Sequence, residues 1–100
     1  MQTTQTSILE YLNNNKLEFA QKYYINKFGL FGSFARNEQT ENSDIDIVYF
    51  MKEDEKISYF QLFELEKILE KQFNRKVELI NYQYINPIIK YKAKNEIIYV

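Results

Sequence analysis

Hydrophobic and polar residues alternate most clearly between residues 44 and 50, and this period of two predicts a β-strand. The alternation places three large apolar side chains on one face of the strand: Ile45, Ile47 and Tyr49. The opposite face carries two carboxylates followed by two apolar residues: Asp44, Asp46, Val48 and Phe50. Shorter apolar segments predict strands over residues 26–31 and 77–81, and an edge strand over residues 97–100.

Two short helices are predicted at the N-terminus. Ser7 and Glu10 have the spacing of a capping box, which predicts that the first helix starts at Ser7. The run of asparagines at positions 13–15 predicts its end, and a second helix is predicted over residues 16–24.

Two further helices are predicted in the second half of the chain. Ser58 and Gln61 form another capping box, and the helix that follows carries an apolar stripe of Leu62, Leu65, Leu69 and Phe73. Pro87 suits the first turn of a last helix. The pattern predicts an α/β (α+β) fold in a single domain, residues 1–100, with a small mixed sheet and helices packed on one face.

Composition limits the classes of partner that this chain is expected to bind. Its net charge of −1 argues against a protein that grips nucleic acid through a basic face, so no direct nucleic-acid contact is expected. No apolar run approaches the roughly 18 residues needed to cross a bilayer, and the N-terminus lacks the order of a signal peptide. We therefore expect a cytoplasmic protein that has no membrane partner.

The absence of two residue types limits the chemistry further. The chain has no cysteine and no histidine, which excludes a thiol nucleophile, a cysteine zinc site and Ser-His catalysis. Catalysis must therefore depend on carboxylates, hydroxyls, Lys, Arg and backbone amides. Oxygen ligands of this kind favour metals such as Mg²⁺.

Asp44 and Asp46 are the first candidate site residues. One residue apart on a strand, they project from the same face, where two ionised carboxylates repel unless a cation lies between them. A half-buried strand ordinarily carries apolar residues at such positions. The pair therefore indicates a divalent-metal site.

Gly32 and Ser33 are the second candidate element. They follow the strand predicted over residues 26–31 and are expected to open a short helical turn, where free amides favour an anion. Glycine lets the backbone approach a phosphate closely, and the Ser33 hydroxyl adds a donor. A phosphate cradle beside a metal-binding strand is what phosphoryl or nucleotidyl transfer requires.

This arrangement resembles the nucleotidyltransferases of the polymerase β superfamily, whose signature is Gly-Ser, ten residues, then Asp-x-Asp. Ten residues separate Gly32-Ser33 from Asp44-x-Asp46 here, and the flanking Leu30 to Arg36 and Ser43 to Ile47 are similar to the minimal nucleotidyltransferase (MNT) branch. The resemblance extends over nearly the whole chain and implies the polymerase β-type fold.

The resemblance also implies a role for each candidate residue. The family's third carboxylate, usually an aspartate, corresponds to Glu78 in Val77-Glu78-Leu79. Two Mg²⁺ ions would be held by three carboxylates, namely Asp44, Asp46 and Glu78, with Glu78 also a possible base. The triphosphate of ATP would be held by Gly32 and Ser33, while Arg36 would either touch phosphate or brace the carboxylates. Asn37 replaces a common glycine, and asparagine tolerates positive φ.

The MNT branch is typically paired with a HEPN-domain ribonuclease toxin. The resemblance therefore implies an antitoxin that forms a hetero-oligomer with its toxin and transfers AMP from ATP onto a toxin tyrosine. Two alternatives stay open: an antitoxin of weak activity that neutralises its partner by binding alone, and an enzyme acting on a small hydroxylated substrate such as an antibiotic. Glu78 in place of aspartate is the feature that keeps the first alternative open.

Phe60 and Phe63 lie on the helix arc away from the apolar stripe. Two interpretations apply to them. Either the end of another helix covers both rings, or they form a patch that binds a partner, since aromatic residues concentrate at interface centres.

Overall fold

The computed structural model describes residues 3–100 and contains one mixed sheet. Its strands are β1 (Ile25–Phe31), β2 (Ile45–Met51), β3 (Val77–Asn81) and β4 (Ile98–Tyr99). The helices are α1 (Gln5–Tyr23), α2 (Tyr59–Phe73) and α3 (Pro87–Ala93), and a 3₁₀ turn covers Tyr82–Tyr84. The predicted α/β fold with a small mixed sheet is confirmed.

The sheet has the order β3-β2-β1-β4. β1 pairs antiparallel with β2 on one side and with the edge strand β4 on the other. β2 and β3 are parallel, since α2 forms the crossover between them. β2 is therefore paired on both sides, and residues 46–49, which include Asp46, have a partner in each adjacent strand.

The main core lies between one face of the sheet and the two long helices. β2 contributes Ile45, Ile47 and Tyr49, as its alternation predicts, and α2 contributes Leu65, Leu69 and Phe73. A smaller apolar cluster on the opposite face contains Val48, Ala93 of α3 and Ile97. The two long helices thus share one face as predicted, while the short α3 packs near the other.

The N-terminal helix differs from the two helices predicted there. α1 is one continuous helix whose N-cap is Thr4, and Ser7 occupies the third helical position of the same capping box. The prediction that a helix starts at Ser7 and ends at residues 13–15 is therefore wrong. The buried side chains of α1 remain in helical phase across the asparagines, and they are Ile8, Leu12, Phe19 and Tyr23. Burial of that continuous stripe outweighs the weak helix propensity of asparagine.

The ends of α2 agree with the predicted capping chemistry. Ser58 is the N-cap and forms the capping box with Gln61, while Asn74 ends the helix in the left-handed conformation. Pro87 occupies the first turn of α3, as predicted. Among residues 3–100, no helix is long and apolar enough to cross a bilayer.

We predict that Asn14→Pro destabilises the protein by about 3 kcal/mol or more, because proline in a helix interior removes a backbone hydrogen bond and clashes with the preceding turn. Asn14 is exposed in the middle of α1, so Asn14→Ala is a matched control that should stabilise slightly. Urea unfolding followed by circular dichroism measures both. A proline variant as stable as the native chain would contradict a continuous α1.

Candidate active site

The Gly-Ser turn directly follows β1. The Arg36 amide donates to the Gly32 carbonyl at 3.1 Å, and the Glu38 amide donates to the Ser33 carbonyl at 2.9 Å. The predicted helical turn is therefore present, but it closes after one turn and does not continue into a helix. Asn37 has a φ of 59°, as expected for a residue that tolerates the left-handed region.

Gly32 lies against the carboxylate of Asp46. Its φ is +78°, and a Cβ built on it would lie 3.3 Å from Cγ of Asp46 and closer still to a carboxylate oxygen. Any side chain here would meet both the backbone strain and the carboxylate. The glycine therefore brings the backbone of the turn into contact with the acidic strand.

Sheet register brings the candidate carboxylates together. Asp46 on β2 pairs with Phe31 on one side and with Glu78 on the other. Asp44 lies just before β2 and is exposed, as is Glu78, whereas Asp46 is half-buried. The carboxylates thus converge where β1 ends and β2 and β3 begin, beside the Gly-Ser turn.

This crowding perturbs Asp46. Burial raises the pKa of its carboxyl from an ordinary 3.8 to about 6, with further contributions from the neighbouring charges of Glu78 and Asp44. The positive charge of Arg36 opposes the rise in pKa. A carboxyl group whose charged form is disfavoured in this way is typical of a functional site, and a nearby cation would lower its pKa again.

Arg36 is engaged by two carboxylates. Its Nη1 lies 3.2 Å from Oε2 of Glu96, and its Nε lies 3.5 Å from Oε2 of Glu38. Its charge also acts on Asp46. These two contacts use Nη1 and Nε of Arg36.

The donors at this site suit a hard divalent cation. Asp44, Asp46 and Glu78 supply only oxygen ligands, and a divalent cation would offset both the burial of Asp46 and its repulsion by the neighbouring carboxylates, which together raise its pKa. Across residues 3–100, no three His, Cys, Asp or Glu side chains are already grouped closely enough to hold a metal. The oxygen donors of these three residues fit the chemistry of Mg²⁺.

Two side chains contact the backbone between Ser33 and Asp44 in a way that was not predicted from the sequence. Gln5 of α1 donates to the carbonyls of Phe34 and Ala35 at 3.2 and 2.9 Å, and Arg75 donates to carbonyls of residues 40–43. Neither residue belongs to a recognisable motif. Their partners are backbone oxygens far away in sequence, so no local pattern could have revealed them.

Phe60 and Phe63 are exposed on α2, with 78% and 58% of their surface accessible. The interpretation that another helix end covers them is therefore wrong for the described chain. Lys67 lies over the Phe63 ring at 5.1 Å. The hypothesis that these two rings bind a partner stays a prediction.

Comparison with known proteins agrees with this geometry. A sequence model of the family described as nucleotidyltransferase domain matches residues 12–100. A Methanocaldococcus jannaschii protein with the provisional name protein adenylyltransferase is 42% identical over 97% of this chain and 98% of its own length. The protein adenylyltransferase MntA of Thermococcus cleftensis is 30% identical over 97% of this chain and 96% of its own length.

Solved structures show the same fold. A toxin–antitoxin complex with AMP-PNP contains a chain that superposes with a TM-score of 0.70 at 20% identity, covering 97% of this chain and 72% of that chain. A structure described as a minimal nucleotidyltransferase superposes with a TM-score of 0.75 at 21% identity, covering 96% and 95%. The chain belongs to the nucleotidyltransferase family, and the resemblance to its minimal branch is confirmed.

We predict that Asp46→Asn stabilises the metal-free protein above pH 6 but not below pH 4. A raised pKa means that the folded state binds the proton more tightly, so native stability falls as the pH rises from about 4 to about 6. The difference at neutral pH should be on the order of 1 kcal/mol, because solvent screens the half-exposed carboxylate.

Urea unfolding in EDTA at several pH values measures this difference. Asp54→Asn, at an exposed position of the 52–56 turn, controls for loss of one negative charge. Parallel stability profiles for native and Asp46→Asn proteins would show that Asp46 is not under electrostatic strain.

Proposed function

We propose that this chain is a Mg²⁺-dependent protein adenylyltransferase that transfers AMP from ATP onto a tyrosine of a partner HEPN toxin and so acts as its antitoxin. One observation carries the proposal: the Gly32 backbone lies against Asp46, which is paired with Glu78 on the next strand. The turn proposed to bind phosphate and the acidic strand therefore meet at one point. Nucleotidyl transfer needs both elements next to each other.

Each residue has a defined task in this proposal. Gly32 and Ser33 hold the β- and γ-phosphates through backbone amides and the Ser33 hydroxyl. Asp44, Asp46 and Glu78 hold two Mg²⁺ ions, which when bound neutralise the triphosphate and make the attacking hydroxyl more acidic. Arg36 braces the carboxylates through its charge on Asp46 and its pairs with Glu38 and Glu96.

The reaction exchanges one phosphorus–oxygen bond for another. The tyrosine oxygen attacks the α-phosphorus of ATP, the bond from that phosphorus to the bridging oxygen breaks, and pyrophosphate leaves. The phenolic proton passes to a carboxylate such as Glu78 or to water. The products are an AMP–tyrosine phosphodiester and pyrophosphate.

Similar proteins support the acceptor class and the partner. The relative from Thermococcus cleftensis is a protein adenylyltransferase, and this chain aligns with 96% of its length. A solved Shewanella oneidensis complex holds a tri-AMPylated HEPN toxin together with an MNT antitoxin, whose fold this chain matches with a TM-score of 0.60 at 17% identity. Consumption of ATP fits a cytoplasmic reaction.

The surface around the carboxylates supports an acceptor that arrives on another molecule. Two depressions of about 490 and 970 Å³ lie elsewhere on the surface, and neither is lined by Gly32, Ser33 or the three candidate carboxylates. Asp44 and Glu78 are exposed. A docking protein can present its hydroxyl to such an open site.

An antitoxin that acts by binding alone is the second candidate. The observation that favours it is Glu78, whose additional methylene and exposed position give a longer and less constrained ligand than aspartate. Both candidates share the fold and the partner. They differ in whether the partner becomes covalently modified.

We predict that the native chain labels the protein encoded by the neighbouring gene when both are incubated with α-labelled ATP and Mg²⁺. Asp44→Asn combined with Asp46→Asn should reduce labelling by at least about 1000-fold, because charge stabilisation of the transferring phosphate is lost. Glu78→Gln should reduce it by about 100-fold, whereas Glu78→Asp should retain activity. Mass spectrometry identifies the modified residue.

Each outcome of this assay separates the candidates. A tight complex without label, unchanged by Asp44→Asn with Asp46→Asn, would support binding alone and exclude the transfer reaction. Label on an added aminoglycoside rather than on the protein would support a small-molecule substrate. EDTA should abolish labelling, and labelling that persists in EDTA would exclude the metal role.

We predict that Phe60→Ala combined with Phe63→Ala weakens partner binding by about 100-fold if these rings form an interface centre, as exposed aromatic pairs commonly do. Leu17→Ala, at a site on α1 with 75% of the residue exposed, controls for loss of exposed apolar surface. Calorimetry with the partner measures both. Equal affinity of the phenylalanine and Leu17 variants would locate the interface elsewhere.

A further inference from the structure

The segment between the Gly-Ser turn and β2 consists of turns and irregular backbone. The segment starts after Ser33 and ends at Asp44, and its residues 38–44 form no helix or strand. Thr40 and Ser43 close a local turn, in which the Ser43 amide donates to the Thr40 carbonyl at 3.1 Å. Such a short turn does not by itself determine where Asp44 points, so contacts from other elements must do so.

Arg75 supplies these contacts at the Asp44 end of the segment. Its Nη1 lies 3.0 Å from the Thr40 carbonyl, 3.2 Å from the Glu41 carbonyl and 2.7 Å from the Ser43 carbonyl. The peptide group of the Ser43 carbonyl is joined directly to Asp44. Because Nη1 carries two N–H groups, at least two of the three carbonyls share one of them, and the positive charge of the guanidinium attracts all three.

The same guanidinium reaches the other end of the segment. Its Cζ lies 5.1 Å from the centre of the Phe34 ring, a cation–π distance, and Phe34 is fully buried directly after Ser33. The Phe34 ring and three carbonyls thus contact the same guanidinium. Arg75 therefore contacts both the phosphate-side turn and the residues that precede Asp44.

Arg75 also lies just before β3, the strand that carries the third carboxylate. It lies three residues before Glu78, and the carbonyl of the next residue, Lys76, accepts from the Ile45 amide at 2.9 Å. The backbone of this strand and the side chain of Arg75 thus hold residues on both sides of Asp44.

We infer that Arg75 is a positioning residue: it sets the Gly-Ser turn, Asp44 and the Glu78 strand at fixed distances from one another. It acts through the backbone, not on the reacting atoms. Its consequence for nucleotide binding rests on the proposed function, whereas its hold on residues 40–44 does not.

The test compares Arg75→Gln and Arg75→Lys with Lys76→Gln, which removes the same charge from the exposed neighbouring side chain. Hydrogen exchange of the amides in residues 38–45 reports on the segment. Calorimetric titration with Mg²⁺ and AMP-PNP reports on the site, and thermal unfolding confirms that each variant folds.

Arg75→Gln should increase amide exchange within residues 40–44 and raise the Kd for Mg²⁺·AMP-PNP by about tenfold or more, as expected when a residue supporting metal ligands is lost. Arg75→Lys should recover part of this affinity, since an ammonium can reach some of the carbonyls but lacks the planar fork. Lys76→Gln should match the native chain in both measurements.

The possible failures are distinguishable. Native affinity in a folded Arg75→Gln protein, or equal weakening in Lys76→Gln, would overturn the inference. If the native chain itself does not bind Mg²⁺·AMP-PNP, the proposed function fails, and the exchange data alone decide the role of Arg75. In that case, unchanged amide hydrogen exchange in Arg75→Gln overturns the inference about Arg75, and faster exchange confined to residues 40–44 supports it. If Arg75→Gln does not fold, the same criteria apply to Arg75→Lys.

Discussion

The pairing of β2 with a strand on each side is the constraint on which the candidate site depends. The antiparallel partner β1 ends in the Gly-Ser turn, and the parallel partner β3 carries Glu78, so both reach Asp46. A slip of one residue would turn Asp46 into the helix-covered core and bring Ile45 and Ile47 to the other face. Burial of those isoleucines therefore maintains the register that assembles the acidic residues.

The site has an electrostatic cost that the rest of the fold offsets. Asp46 is half-buried beside two other carboxylates, and the burial that raises its pKa also disfavours its charged form. A strand position optimised for stability alone would carry an apolar residue there. The apolar core on the opposite face supplies stability that offsets this cost, as is common at functional sites.

Distant parts of the chain hold the segment that joins the turn to the acidic strand. Gln5 from α1 and Arg75 before β3 donate to its carbonyls, and Arg36 joins it to Glu96 near the C-terminus. A chain of this length has few residues to spare for a separate scaffold. The residues that support the site are therefore also residues that join the N-terminal, central and C-terminal elements.

The sequence alone determined the features that depend on local period and local chemistry. The alternation in β2, the capping box at Ser58 and the Gly-Ser and Asp-x-Asp motifs could all be read directly, because each depends on neighbours within a few residues. Three further features depended on packing and could not be predicted locally. Because Phe19 and Tyr23 are buried in helical phase with Ile8, α1 continues through the asparagines. Strand pairing places Glu78 beside Asp46. Arg75 donates to backbone carbonyls more than thirty residues away in sequence. The physical reason is the same in each case: these interactions join residues that only the completed sheet brings together, so no local pattern in the chain encodes them.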